Sequence, residues 1–113
     1  MSEHAVLIRF FDYEARFGRD LAPLHALEDE IALVIEQAGV GELDGNEMAL
    51  DGSEGTFFAY GPDARAIFAA LEVLLRASRV TYDAEVTLCF GDPGDPDARE
   101  EVIKLSGPEP HAQ

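Results

Sequence analysis

Two stretches of this chain repeat apolar residues at three- and four-residue spacing, and the segments around them read as short apolar runs separated by turn residues. In the first stretch Leu24, Leu27, Ile31, Val34, Ile35 and Ala38 recur, while Glu28, Asp29, Glu36 and Gln37 fill the opposite side. That is an amphipathic helix with one buried stripe. Asp20 or Ala22 can precede its first turn, Pro23 is tolerated there, and Gly39 is the expected stop. In the second stretch the stripe is Ala64, Ile67, Phe68, Leu71, Leu74 and Leu75, closed by Ser78-Arg79. Gly61-Pro62-Asp63 opens it, with Pro62 expected at the first helical position and Asp63 beside the positive end of the helix dipole.

The remaining segments read as strands. Residues 4–11 (HAVLIRFF) are a β-branched and aromatic run of strand length. Residues 41–60 read as strand, Gly-rich turn and strand, a hairpin around Asp51-Gly52-Ser53-Glu54-Gly55. Ala84, Val86, Leu88 and Phe90 alternate with Glu85, Thr87 and Cys89, the pattern of a half-buried strand. After a turn-rich loop over residues 91–97, Glu101-Val102-Ile103-Lys104-Leu105 can return as a short edge strand. The order strand, helix, strand, strand, helix, strand predicts an α+β chain of the ferredoxin-like βαββαβ kind, an antiparallel plait with an optional fifth strand. Right-handed crossovers put both helices on one face of the sheet. With Val6, Ile8 and Phe10 turned to the helices, Leu7, Arg9 and Phe11 lie on an open face, and a homodimer is the plain way to cover it.

Charge narrows the function classes. The 113 residues carry 23 acidic side chains against 8 Lys and Arg, for a formal net charge of -15. Nucleic acid and anionic lipid both demand a basic surface, so neither is an expected partner. An apolar fraction of 47% supports a packed core rather than a disordered acidic chain. We expect one domain over residues 1–113, with its core in about residues 4–105 and residues 106–113 as a frayed tail. The single Cys rules out a disulfide framework. The first apolar run ends at Arg9, too early for a signal peptide, and no run is long enough to span a bilayer. A cytoplasmic location follows as an expectation.

Most motif-like features dissolve in context. Gly39-Val40-Gly41 with Gly45 has the wrong spacing for a dinucleotide fingerprint and follows a helix instead of a strand. Gly52-Ser53-Glu54-Gly55 is not a nucleophile elbow, and no His stands where a triad needs it. Asp92, Asp95 and Asp97, like Asp44, Asn46, Glu47 and Asp51, are oxygen-rich, but neither loop has the calcium-loop spacing. His4, His25 and His111 share no paired spacing, so no metal and no cofactor is expected. Cys89 reads as a small apolar residue on a polar strand face rather than a reactive thiol.

Two features survive this filter. From Asp20 through Asp63, both included, there are eleven acidic residues and no Lys or Arg. The plain reading is solubility. The functional one is a single-sign face, with Glu28, Asp29, Glu42, Asp44 and Glu47 meeting a basic protein partner by fast, salt-sensitive association. Second, Arg9, Arg16 and Arg19 are interleaved with Phe10, Phe11, Tyr13 and Phe17. The plain reading has these arginines neutralising the chain's own carboxylates over packed rings. The functional one has Arg9, Tyr13, Arg16 and Arg19 holding an anionic ligand through bidentate contacts.

Four segments together, Gly41 to Glu47, Tyr60 to Ala64 leading to Phe68, Leu74 to Ser78, and Val86-Thr87-Leu88 through Phe90 to Pro96, resemble a group of short, acidic bacterial α/β proteins with no assigned activity. A fainter resemblance, carried by Val80-Thr81-Tyr82-Asp83 and the acidic loop after Phe90, is to the regulators of ribonuclease activity B, acidic α/β proteins that inhibit ribonuclease E. The present sequence lacks the long acidic tail of that family, and neither resemblance gives a residue a role. The expectation is therefore a non-enzymatic, dimeric binding module for a basic protein, with inhibitors and immunity-type proteins as special cases. The alternative is a dimer that binds or transforms a small anion on its open sheet face.

Overall fold

The computed structural model describes residues 3–92 and 95–105. The expected frayed tail, His111 and the centre of the acidic loop at Pro93-Gly94 lie outside the described residues. Five strands, β1 (His4–Phe11), β2 (Glu42–Met48), β3 (Glu54–Gly61), β4 (Glu85–Cys89) and β5 (Glu100–Lys104), make one sheet in the order β2-β3-β1-β4-β5. Every neighbouring pair is antiparallel. The optional fifth strand is thus present, paired to β4 as an edge. Three helices accompany the sheet: α1 (Tyr13–Phe17), α2 (Ala22–Ala38) and α3 (Ala64–Ala77). The chain is α+β with an open antiparallel sheet; a fifth strand and a third helix depart from a simple four-strand, two-helix pattern.

Alternation decides what the sheet buries. Val6, Ile8 and Phe10 from β1, Phe57 and Ala59 from β3, and Val86 and Leu88 from β4 join Leu24, Leu27, Ile31 and Ile35 of α2 and Ala64, Ile67, Leu71 and Leu75 of α3 in one core. All of them are buried, as the apolar spacing requires. Both long helices therefore cover the same face of the sheet, packed on each other and on its strands. The hairpin register runs from Glu42 opposite Tyr60 to Met48 opposite Gly55, broken by an irregularity between Leu43 and Gly45. Gly55 is glycine because Phe10 lies across it: a Cβ there would sit 2.4 Å from the Phe10 ring.

Local differences from the sequence reading have definite causes. The stretch after β1, to which the sequence pattern assigns no element, contains α1, which starts from Asp12 in the left-handed region at φ 55°. Its Tyr13 is buried against Phe10 and Phe17. Helix α3 begins at Ala64 and not at Pro62. Asp63 is the residue before it, extended at φ -146°, and its side chain accepts from the Arg65 N–H, which makes it the cap and leaves Pro62 outside. The preceding N–H, of Ala64, is taken by Nδ1 of His4 at 3.0 Å, a cap from the neighbouring strand that no local pattern announces. At the other end, α3 stops without glycine because the buried Thr81 hydroxyl donates to the Leu75 carbonyl at 2.8 Å. Cys89 alternates onto the open face as expected, but it is buried there, its thiol directed to the Gly91 carbonyl at 3.5 Å.

Candidate functional site

Among the described residues, two helices on one side leave the other side of the sheet uncovered. Alternation places Leu7, Arg9 and Phe11 of β1 there, with Thr56, Phe58 and Tyr60 of β3, and Glu85 and Thr87 of β4. Leu7, Phe11, Phe58 and Tyr60 are half-buried, since a sheet without a cover shields its side chains only by their neighbours. Across β2 the row continues with Glu42 opposite Tyr60, Gly45 opposite Phe58 and Glu47 opposite Thr56. An aromatic centre is thus bordered on one edge by carboxylates.

The five acidic residues singled out above divide into two groups. Glu42, Asp44 and Glu47 lie on β2, are exposed, and make no ion pair with any described residue. Asp44 falls at the register irregularity and, with Glu47, borders a concavity of about 250 Å³ floored by Phe58 and Tyr60. Glu28 and Asp29 sit on α2. The Glu28 carboxylate accepts from the Asn46 side-chain amide at 2.7 Å, so it is engaged in holding α2 to the edge strand, while Asp29 is exposed on the helix. The structure brings together the three on β2 and sets the two on α2 apart from them.

The four residues of the arginine segment do not share a site. Arg9 is on the open face, donates to Glu54 at 2.7 Å and lies over the Phe11 ring. Arg16 is a structural stitch. Its guanidinium donates to the carbonyls of Phe11, Arg79 and Val80, lies 3.7 Å from Asp83, and is stacked on Tyr82 and Phe17. It ties the end of β1 to the turn after α3. The Tyr13 hydroxyl donates to the Asp20 carbonyl at 2.6 Å and accepts from the Leu24 N–H at 3.3 Å. Burial raises its pKa above the ordinary tyrosine value. Arg19 is exposed and lines, with Tyr13, Leu21 and Leu50, a separate groove of about 420 Å³ beside the hairpin tip.

A third concavity, about 440 Å³, lies between the helices on the covered side and is walled by Phe17, Leu27, Leu74 and Val80. Its apolar walls are continuous with the core, and its lining also includes Glu30, Ser78 and Arg79. Among the described residues no group of three His, Cys, Asp or Glu is arranged to hold a metal ion. No helix among them is long and apolar enough to cross a membrane.

The sequence pattern marks Glu42, Asp44 and Glu47 as acidic and Phe11 as an open-face aromatic, without joining them to Phe58 and Tyr60. What it missed is Gly45, which lines the concavity beside the register irregularity. The signal was there, because a lone glycine inside a strand pattern marks a bulge. No family model, no curated protein and no solved structure matches the chain.

Proposed function

We propose that the protein is a non-enzymatic binding module whose open sheet face, along the acidic edge strand β2, engages a basic protein partner. The observation that carries this reading is the charge layout of that face. Three exposed carboxylates without a counter-ion among the described residues stand beside half-buried Phe58 and Tyr60. An apolar centre with a single-sign rim is what a protein partner of opposite charge reads, first by steering and then by desolvating the rings. On this reading the sheet order β2-β3-β1-β4 with both long helices on one face is a ferredoxin-like plait to which β5 has been appended at the far edge. The acidic edge and the added strand then occupy opposite borders of the face. Inhibition of the partner, as in the regulators of ribonuclease activity B, would follow if the partner's own basic site is what docks.

The test is capture of the tagged protein's partners from its host lysate with two charge-reversed variants alongside wild type. Glu42→Lys/Asp44→Lys/Glu47→Lys should lose a basic protein that wild type retains at low salt and releases at moderate salt. Glu28→Lys/Asp29→Lys should retain it. Retention of the same protein by the β2 variant would refute the assignment.

A further inference from the structure

The open face already holds one arginine, supplied by the chain itself. Arg9 Cζ lies 5.3 Å from the centroid of the Phe11 ring, and the guanidinium donates to Glu54 at 2.7 Å. Phe11 and Glu54 are cross-strand partners, so a ring and a carboxylate side by side on adjacent strands form the seat. This pairing recurs in the molecule: Arg65 Cζ is 5.1 Å from the Phe90 ring centroid while its guanidinium pairs with Glu101 at 2.9 Å. A planar, weakly hydrated cation against a ring face, with a carboxylate at its edge, satisfies the quadrupole and the donors together.

The opposite end of the same face has these parts and no guanidinium. Tyr60 and Phe58 present their rings on β3, and their partners on β2 are Glu42 and Gly45. Gly45 takes φ 129°, a conformation that L side chains rarely adopt, and an added Cβ there would meet nothing within 4 Å. Gly45 lines, with Asp44, Glu47, Phe58 and Tyr60, the concavity that opens at this edge. Asp44, Glu42 and Glu47 have no cation among the described residues, and their mutual repulsion is relieved only by one brought from outside.

We infer that the concavity over Phe58 and Tyr60 is the seat for an arginine side chain of the protein partner, its guanidinium stacked on the rings and held by Asp44 and Glu47. The inference rests on the reading of the open face as a docking surface for a basic protein and names the anchor of that docking. Arginine is favoured over lysine because a flat fork can stack and donate to two carboxylates at once, whereas an ammonium keeps its water more tightly.

The probe is the blocked peptide acetyl-(Ala-Arg)₃-amide, titrated into the full chain with isotope-labelled Phe and Tyr rings and backbone amides, followed by NMR. The Phe58 and Tyr60 ring signals and the Gly45 amide should move together, and binding should weaken as salt is raised. Asp44→Asn/Glu47→Gln should reduce the affinity by about tenfold, from two exposed charge contacts of up to about 1 kcal/mol each. Both side chains are exposed, so that variant keeps the fold, which its amide spectrum verifies; Tyr60→Leu should weaken binding as well. An unchanged affinity in the Asn/Gln variant, shifts confined to α2, or equal affinity for acetyl-(Ala-Lys)₃-amide would each overturn the arginine seat. If the arginine peptide binds nowhere while the β2 charge reversal still abolishes partner capture, the seat is wrong and the docking face stands; if neither effect is seen, the docking face itself is wrong.

Discussion

Single residues in this protein are set by what reaches them from elsewhere in the chain. Tyr13 is the clearest case. Its hydroxyl joins the Asp20 carbonyl to the Leu24 N–H, so one side chain fixes the path from α1 into the first turn of α2. Removing it in Tyr13→Phe should cost about 1 kcal/mol, the net worth of a buried hydrogen bond, with more if the Leu24 N–H is left unpaired. The sign of its pH dependence follows from the raised pKa. The folded state holds the proton more tightly than the unfolded chain, so the stabilisation is complete below the unfolded value of about 10 and is lost as pH rises through the folded one. Urea midpoints measured from pH 8 upward should fall more steeply for wild type than for Tyr13→Phe. Parallel slopes would show that the hydroxyl is not the group responsible.

At the scale of elements, two glycines of the β2–β3 hairpin do opposite things. Gly55 makes room for the core: its missing Cβ is where the Phe10 ring lies. Gly55→Ala should therefore destabilise by about 1–3 kcal/mol, the usual cost of forcing an extra methyl into a packed interior. A chemical-denaturation midpoint within error of wild type would show that Phe10 can move aside freely. Gly45 makes room on the outside, and nothing would clash with a Cβ there; its cost is the backbone conformation alone. The hairpin is thus anchored to the core at its turn end and left open at its bulge. That difference was partly legible, because glycines inside strand patterns mark bulges or close approaches, but which of the two each marks depends on what lies beside it in the fold, the Phe10 ring at Gly55 and open space at Gly45. The arginine segment shows the same limit. Its composition suggested one site, yet β1 ends at Phe11 and α1 begins at Tyr13, and this change of element sends Arg9 to the open face and Arg16 to the turn after α3.

For the whole molecule, the excess of acidic groups at a net charge of -15 is a repulsion that folding concentrates. Four ion pairs are formed among the described residues, all with partly exposed members, and such pairs contribute little. Screening should therefore stabilise the protein. Raising sodium chloride from about 20 to 200 mM shortens the Debye length from roughly 20 Å to under 10 Å, and the melting temperature should rise. A fall would mean that the ion pairs outweigh the repulsion. The same salt range should weaken binding of a basic partner, so stability and affinity should move in opposite directions.

The sequence by itself determined the strands, the two long helices and the side of each that is buried, because periods of two and 3.6 are imposed by backbone geometry on any chain that must bury apolar groups. It determined the charge as well, and with it the expectation of a basic partner. The tertiary structure alone decided which carboxylates share a surface. Glu28 and Glu42 belong to the same acidic stretch, yet one is bonded to Asn46 beneath the edge strand and the other faces outward beside Tyr60. That choice is made by sheet register and by the irregularity at Asp44, and register is a property of strands paired across the fold rather than of any local run of residues.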